Sequence, residues 1–591
     1  MNGLLGRLDR LPIATALRET LREGYSRKQL TADVLAGVVV GIIALPLAMA
    51  LAIGTGVAPQ HGLYTAMIAG ILIALFGGSR GNVSGPTAAF IVILHPIVTQ
   101  YGLGGLLVAT VMAGIILVLM GLGGLGRFIE YIPYPVTTGF TAGIGVVIAL
   151  MQVPDFFGLT MGETPAHFFD RLLSIARALP SAHWPDLLIG AVCLAVLIYW
   201  PRLKSVVPGH LVAVVLGSLL ALLLGTVVDG FEVATIGSRF SYQADGVSQP
   251  GIPPYLPGLQ WPWHWPGANG EPFVLSFTVI QDLMAPAFAI AILGAIESLL
   301  CAVVVDSFLR TKHNPNAELV GQGIGNIVAP FFGGISATGA IARSAAGIRA
   351  GARSPVSAIV HGVVILLAIV SLARLLAYVP MAALAALLLM TAWNMSEAKH
   401  FVNVLKIGPM HDKAVLVTCF VLTVVFDMVV AVGVGMVLAA FLFMHRVAGL
   451  SVGRWLEDEH AAERHGALPP DARFYQIDGP LFFGATEKAI STLKLYAPGM
   501  RTVILWLGEV PMIDVTGVIA LDSALRLLRE QQVFVVLAGA KPNVRVLLES
   551  AGIGRDPAWA EYVDRADQAV RLAHRRYAAA SGEASPVPEP V

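Results

Sequence analysis

Charged residues are scarce in this chain of 591 residues. They make up 13% of it, and 38 basic residues balance 38 acidic ones. Such a balance gives no basic surface of the kind that binds nucleic acid. The hydrophobic fraction is 56% and the mean hydropathy is +0.75, which exceeds what a soluble domain uses in its core and surface. Most of the chain is therefore predicted to lie in a lipid bilayer.

Cysteines and the residue sets of enzyme active sites are also scarce. The three cysteines, Cys193, Cys301 and Cys419, are far apart and lie within apolar runs. This spacing matches neither a metal site nor a disulfide framework and is typical of small buried side chains. The sequence has no nucleophile–base set and no Walker-type loop. We therefore predict a protein that is not an enzyme and uses neither a cofactor nor a metal.

Long hydrophobic runs fill most of the first 450 residues. About fourteen can be separated, seven on each side of a gap at 229–275, and several are shorter than the ~20 residues of a full span. The sequence predicts a lead-in at 1–30 and transmembrane repeats at 31–228 and 276–450. The gap would be an extracytoplasmic loop whose WPWHWPG motif anchors at the outer interface. Lys and Arg concentrate in short loops on one side, which places both termini in the cytoplasm.

The remaining residues change character after the last apolar run. We predict a charged linker at 451–472, an α/β domain at 473–577 and a disordered tail at 578–591. The domain prediction depends on alternating strand and helix patterns of a length that forms a sheet covered by helices.

The segment at 332–355, FGGISATGAIARSAAGIRAGARSP, departs from the pattern of an ordinary membrane helix. We expect extended chain that enters a half-helix near Thr338 or Gly339, with Arg343 in its first turns. A helix that begins inside the membrane has unpaired amides and the positive end of its dipole there. Together with one guanidinium, these groups suit an anion. The alternative is a kink from which Arg343 extends to the cytoplasmic surface.

A partner for this segment lies in the first half, at 77–90, GGSRGNVSGPTAAF. Its glycines precede Ser84, Gly85, Pro86 and Thr87, and Pro86 suits the first turn of a helix. Interrupted helices at matching positions of two halves indicate a transporter binding site near the membrane midplane. The alternative is coincidence, because small residues are common wherever membrane helices pack closely.

Glu297 lies in the middle of an apolar run, and Cys301 follows it by one helical turn. An intramembrane carboxylate indicates a functional site. The alternative is a structural pair with a neighbouring helix.

These segments resemble the SulP (sulfate permease) family of anion transporters, from about residue 30 to residue 575. The resemblance depends on motifs at 33–64, 131–146, 297–308 and 313–345, followed by a C-terminal STAS domain; three of them read YIPYPVTTGFTAGIGV, ESLLCAVVVDSF and HNPNAELVGQGIGNIVAPFFGGISATGAIARSA. Among bacterial members, the stretch ATGAIARSAAGIRAGARSP is most similar to the branch associated with C4-dicarboxylate uptake.

The resemblance implies a fold and a mechanism. The fold is a seven-plus-seven inverted repeat, like that of the uracil permeases, with a core of segments 1–4 and 8–11 and a gate of segments 5–7 and 12–14. A small inorganic or organic anion would lie between half-helices 3 and 10 and move by an elevator-like displacement of the core. The resemblance also implies a homodimer in the bacterial inner membrane. The implied substrate-binding residues are Ser84, Gly85, Pro86, Thr87, Thr338, Gly339, Ala340 and Arg343, and the implied coupling residues are Glu297 and Cys301.

Two departures from the family pattern affect these expectations. Sodium-coupled bicarbonate members tend to have Asp at the position of Glu297 and a hydroxyl one turn later, whereas Cys301 is a poor ligand for a hard cation. We therefore expect coupling to protons, with sodium coupling as the alternative. In the STAS domain, IDVTG at 513–517 has Val515 where the related anti-sigma antagonists have a phosphorylatable Ser, so we do not expect a phosphoswitch at that position.

Other functions remain open on the same architecture. A passive anion channel would not accumulate its ion against a gradient. A nucleobase transporter would favour carboxylates at both half-helices over one arginine. The sequence does not choose among sulfate, bicarbonate and C4-dicarboxylates, all of which suit amide donors and a guanidinium.

Overall fold

The structure, a computed structural model, describes residues 12–162, 165, 168–203, 205, 207–244, 247–426, 428–456, 467–494 and 499–581. Two compact units succeed each other along the chain and meet in sequence at Met436 and Val437. The first consists mainly of helices, and the second contains a β-sheet with helices packed on it.

The elements before the gap are mostly long apolar helices. They are α1 (Thr15–Arg22), α2 (Arg27–Thr55), α3 (Pro59–Phe76), β1 (Ser84–Gly85), α4 (Ala88–Leu122), α5 (Tyr134–Phe157), α6 (Phe168–Ala178), α7 (Trp184–Tyr199) and α8 (Gly209–Val227). Helix α4 is interrupted at Gly102, whose φ of 69° and ψ of −168° are not helical. It therefore supplies two apolar segments, and the described residues before the gap hold seven.

The elements after α8 begin in the region at 229–275, which we call the outer region because the sequence predicts it to be extracytoplasmic, and they then repeat this order. They are α9 (Ile236–Arg239), β2 (Ser241–Ala244), β3 (Val247–Pro250), α10 (Phe277–Leu309), α11 (Pro315–Val328), β4 (Thr338–Gly339), α12 (Ile341–Arg349), α13 (Val356–Leu376), α14 (Met381–Met395), α15 (Ala398–Ile407), α16 (Met410–Val425) and α17 (Met428–Ala448). Without the surface helix α15, seven apolar segments again result.

Ten helices among the described residues are long and apolar enough to cross a membrane. Two of the ten reach this length only together with the residues that follow them, because α7 and α14 themselves have 16 and 15 residues. The other short apolar segments are α11 with 14 residues, α12 with 9 and α16 with 16. This agrees with the expectation that several segments are too short for a full span. The sequence did not predict α6 or α15, because neither is apolar enough to stand out as a run.

Glycines allow the helices of the first unit to approach closely. A Cβ atom on Gly37 of α2 would lie 2.6 Å from Val360 Cβ of α13, and one on Gly41 would lie 2.6 Å from Val364 Cγ1. In lipid, where no hydrophobic force draws helices together, such close packing is the main source of helix association. Close packing of this kind holds the surrounding helices against the interrupted ones.

The outer region contacts the helices more closely than predicted. Trp265, expected at the outer interface, turns inward: its ring lies 5.4 Å from that of His61, and its side chain packs against Gly333. The backbone N–H of Gly104 donates to Pro266 O at 2.8 Å. This part of the region therefore covers both the kink of α4 and the chain that leads to α12, which corrects the interface prediction for Trp265.

The second unit is built on a five-stranded sheet in the order β5-β6-β7-β8-β9. Its elements are β5 (Val452–Leu456), β6 (Ala472–Asp478), α18 (Thr486–Ile490), β7 (Thr502–Glu509), α19 (Val515–Glu530), β8 (Phe534–Ala538), α20 (Pro542–Ser550), β9 (Ala560–Val563) and α21 (Ala566–Ser581). Strand β5 is antiparallel to β6, and the other pairs are parallel. Both faces are covered: Tyr475 and Leu505 lie in one apolar cluster, and Phe474 and Ile504 lie in the other.

Three predictions for this unit need correction. The predicted linker at 451–472 contains β5, which is an edge strand of the sheet. Strand β9 was not predicted, because AEYV is too short to show an alternating pattern. Helix α21 extends to Ser581, so 578–581 are helical rather than disordered; the rest of the predicted tail lies outside the described residues.

Candidate functional site

The two interrupted segments lie side by side. Strands β1 and β4 pair antiparallel, with Ser84 opposite Gly339 and Gly85 opposite Thr338. The backbone N–H of Ala340 adds a hydrogen bond to Val83 O at 2.9 Å. Two chain segments far apart in sequence, with Ser84 and Gly339 separated by 255 residues, thus form one small sheet whose paired residues are all buried. The predicted meeting of the two breaks is seen in this pairing.

Each strand leads directly into a helix with an open N-terminus. Helix α4 begins at Ala88 after Thr87, and α12 begins at Ile341 after Ala340; neither has a side-chain cap. The first amides of a helix have no intrahelical partners. Both helices start later than predicted, because 338–339 belong to β4 and Pro86 lies before the first turn of α4.

Arg343 crosses from one break to the other. It is 2% exposed, and its Nη2 donates to Pro86 O at 2.8 Å. Its Nη1 is buried and has no hydrogen-bond partner. This burial excludes the alternative in which Arg343 extends to the cytoplasmic surface. A Cβ atom on Gly85 would lie 2.9 Å from Nη1, so the guanidinium occupies space that only a glycine leaves open.

Glu297 approaches the same point from α10. Its Oε2 accepts a hydrogen bond from Thr87 Oγ1 at 2.9 Å, and Thr87 directly follows the residue that binds Arg343. A carboxylate and a guanidinium therefore contact consecutive residues at the N-terminus of α4. Thr87, Glu297 and Ala340 are all partly exposed, which makes this the accessible side of the breaks.

Three other predicted residues have buried polar groups that already form hydrogen bonds within the protein. Ser84 Oγ accepts from Gln322 Nε2 at 2.9 Å, and Thr338 Oγ1 donates to Gly294 O at 2.9 Å. Cys301 is fully buried, and its Sγ donates to Ser344 Oγ at 3.3 Å. These contacts fix the framework around the opening.

A row of polar side chains on α11 was missed by the sequence analysis. Glu318, Gln322 and Asn326 are each no more than 1% exposed, and each bonds to one of the two breaks. The available signal was their spacing of four residues in ELVGQGIGN, which puts all three on one helix face. Among the described residues, no group of His, Cys, Asp and Glu could hold a metal ion.

The geometry combines two helix N-termini, one buried guanidinium with a free donor and one carboxylate. Open N-termini and a guanidinium bind anions through donated hydrogen bonds and positive potential. Broken helices that face each other within a membrane domain are typical of secondary transporters. Fold and site together define a membrane transporter of the broken-helix class.

The comparison with protein families identifies the class further. The profile of the Sulfate permease family matches residues 30–418, and that of the STAS domain matches residues 467–566. The chain belongs to the sulfate permease family and has a C-terminal STAS domain. Because this is a family of transporters, the prediction that the protein is not an enzyme is confirmed, and the protein is a multi-pass membrane protein.

Curated relatives and solved structures agree with this assignment. The "Putative sulfate transporter YvdB" of Bacillus subtilis (strain 168) is 37% identical over 536 residues, which are 90% of this chain and 95% of YvdB. Bicarbonate transporter BicA of Picosynechococcus sp. is 27% identical over 543 residues, covering 88% of this chain and 90% of BicA.

Two solved structures are similar to this chain. The transmembrane domain of a cyanobacterial BicA has a TM-score of 0.57 at 26% identity and covers 70% of this chain and 98% of that one. Murine Slc26a9 in the inward-facing state has a TM-score of 0.80 at 18% identity, with 94% and 93% covered. The latter likeness shows the fold alone.

Proposed function

We propose that this protein is a secondary active transporter of a small oxyanion: sulfate, bicarbonate or a C4-dicarboxylate. The observation that carries the proposal is Arg343, buried between two open helix N-termini with Nη1 unpartnered. The names of YvdB and BicA support an oxyanion, because they refer to sulfate and bicarbonate transport.

The chemistry of the opening favours an anion over a neutral or cationic solute. A buried donor without an acceptor costs about 1–3 kcal/mol, and an oxyanion bound beside Arg343 would supply the acceptor. The amides of Ile341 and Ala88 begin their helices nearby. We assign direct contact with the anion to Thr87, Ala340 and Arg343. Ser84 and Thr338 act in the framework, together with Gly85, Pro86 and Gly339.

We propose proton coupling through Glu297, and its position beside the anion site supports this. A second negative charge close to an ionised carboxylate is repelled strongly where water is scarce. A proton on Glu297 would remove this repulsion, and the anion and proton would then enter together. Cys301 gives no support to a sodium site, because a thiol is a poor ligand for a hard cation and its Sγ is bonded to Ser344.

We propose an elevator-like movement as the transport step. The helices that carry the breaks, α4 and α12, would move as part of a core against a gate that includes α5 and α7. Both termini would lie in the cytoplasm of a bacterial inner membrane, since the basic residues concentrate in the loops on that side. A homodimer remains a prediction from the family resemblance.

Uptake into proteoliposomes tests the function. A panel of sulfate, bicarbonate, succinate and uracil should show saturable uptake of at least one anion and none of uracil. An inward proton gradient should drive accumulation above the outside concentration without sodium. Flux that only equilibrates the anion would indicate the passive channel, and strict dependence on sodium would indicate sodium coupling.

A further inference from the structure

The polar face of α11 bonds to both interrupted segments in order along the helix. Glu318 contacts the loop before β1, Gln322 contacts β1 itself, and Asn326 contacts the residue before β4. Residues spaced by four lie one above the other on a helix. One rigid face therefore has a separate contact for each part of the site.

Glu318 makes the largest set of contacts. Its Oε2 accepts from the backbone N–H groups of Gly78 and Ser79 at 3.0 and 3.1 Å. Its Oε1 accepts from Asn82 Nδ2 at 2.6 Å, Ser298 Oγ at 3.0 Å and Gln322 Nε2 at 3.2 Å. Five neutral donors thus surround a carboxylate that is 1% exposed, and both oxygens act only as acceptors.

Asn326 fixes the second break through the backbone of one residue. Its Oδ1 accepts from Ala337 N at 2.8 Å, and its Nδ2 donates to Ala337 O at 2.9 Å. The same Nδ2 donates to Gln322 O at 2.8 Å. This double contact holds the chain extended immediately before Thr338, in the conformation that pairs with β1.

We propose that Glu318, Gln322 and Asn326 are positioning residues that set the two breaks in register. They would act through the backbone: with the three contacts intact, β1 pairs with β4, and the N-termini of α4 and α12 lie on either side of Arg343. The proposal deepens the proposed function, since the anion affinity of that site would depend on this register.

The variant Glu318→Gln tests the hydrogen bonds of Glu318 while it leaves the volume of the side chain almost unchanged. A Gln amide has nearly the same shape, but its NH₂ group must face donors on one side or the other. We expect the KM for anion uptake to rise roughly tenfold or more, as for loss of a charged hydrogen bond, with a smaller change in kcat. Asn326→Asp should act similarly at the second break, because a carboxylate oxygen would then face Gln322 O and Ala337 O.

The reactivity of Cys301 gives a second measurement that requires no substrate. Cys301 bonds to Ser344, whose Oγ also accepts from Val83 N at 2.8 Å in the first break. In a Cys193→Ala/Cys419→Ala background, a membrane-permeant maleimide would report on Cys301 alone. Glu318→Gln should speed this labelling by roughly tenfold, because a looser first break uncovers the thiol.

Asp186→Asn is the matched control. Asp186 is 4% exposed and bonds to His183 and to the backbone of Ala234, far in sequence from both breaks. It should lower thermal stability as any lost buried carboxylate does, with KM and Cys301 labelling close to those of the parent.

The possible outcomes distinguish failure of the positioning role from failure of the proposed transport function. Faster labelling in Glu318→Gln and Asn326→Asp, but not in Asp186→Asn, supports positioning even if no anion is transported, in which case only the proposed function fails. Unchanged KM and labelling in both Glu318→Gln and Asn326→Asp, or equal labelling in these two variants and Asp186→Asn, would overturn the positioning role.

Discussion

Arg343 is the residue on which anion binding should depend most. Its Nη2 already has a carbonyl acceptor, whereas Nη1 is buried without one. Arg343→Ala should abolish measurable anion binding, because it removes the charge and both donors. Binding is measured by calorimetry in detergent, with Arg310→Ala at the end of α10 as control. Retained affinity in Arg343→Ala would place the anion elsewhere.

A substitution at Gly85 tests whether the position of the Arg343 guanidinium matters for anion binding. A Cβ atom there would lie 2.9 Å from Nη1 and 3.4 Å from Ala66 Cα, so Gly85→Ala must displace the Arg343 side chain. We expect a weaker anion affinity, by roughly tenfold for about 1.4 kcal/mol, and also a lower thermal stability, because the φ of Gly85 is 157°, where a side chain is strained. An unchanged dissociation constant would show that the anion does not contact the guanidinium in this position.

Glu297 should control coupling rather than binding. Gln at this position can still accept the hydrogen bond from Thr87 but cannot exchange a proton. Glu297→Gln should therefore keep anion affinity while it uncouples or stops uptake driven by a proton gradient. The measurement is anion uptake with simultaneous recording of internal pH in proteoliposomes. Proton-driven accumulation at the parental rate would remove Glu297 from the coupling step.

The interruption of α4 depends on Gly102 and on the outer region that covers it. Gly102 has a φ of 69°, and a Cβ atom there would lie 2.0 Å from Gly267 C. Gly102→Ala should detach the outer region from α4, since both the backbone conformation and the contact disfavour a side chain. Limited proteolysis between 251 and 260 should become faster, and Tm should fall.

A matched glycine distinguishes the contact from the backbone effect. Gly124 has a φ of 76° but nothing within 4 Å of its Cβ direction. Gly124→Ala should cost only about 1 kcal/mol of backbone strain and leave the cleavage rate of the outer region unchanged. Equal cleavage in the two variants would mean that Gly267 does not hold the region to α4.

The interrupted elements were predictable because their sequences contradict membrane helix rules. Gly333, Gly334 and a charged residue, Arg343, within an apolar stretch are visible without any structure. The polar face of α11 was not predicted, because its carboxylate and two amides, spaced by four residues, lie within an otherwise apolar run. The exact start of each half-helix depended on the pairing of Ser84 with Gly339, a contact over 255 residues that local patterns cannot show.

The sequence also predicted both units of the molecule, with their order along the chain. It placed the sheet but missed its first and last strands: β5 lies in a charged stretch, and β9 has only four residues. Short edge strands owe their structure to the neighbouring strand more than to their own composition. For this reason the boundaries of the second unit were less predictable than the interrupted helices.

The number of membrane crossings determines whether the two termini lie on the same side of the membrane. Seven apolar segments on each side of the outer region, counted over the described residues, give an even total, and if each of them crosses the membrane we expect both termini on one side of it. The excess of Lys and Arg in the loops of that side predicts the cytoplasm.

Single cysteines placed at Ser26 and Ser581 in a Cys193→Ala/Cys301→Ala/Cys419→Ala background should resist a membrane-impermeant maleimide in intact cells and react in inside-out vesicles. A cysteine placed at Gly258 should show the opposite pattern, since 229–275 would face outward. Labelling of only one terminus in intact cells would require an odd number of crossings, and one of the short segments, such as α11 or α12, would then not count as a span.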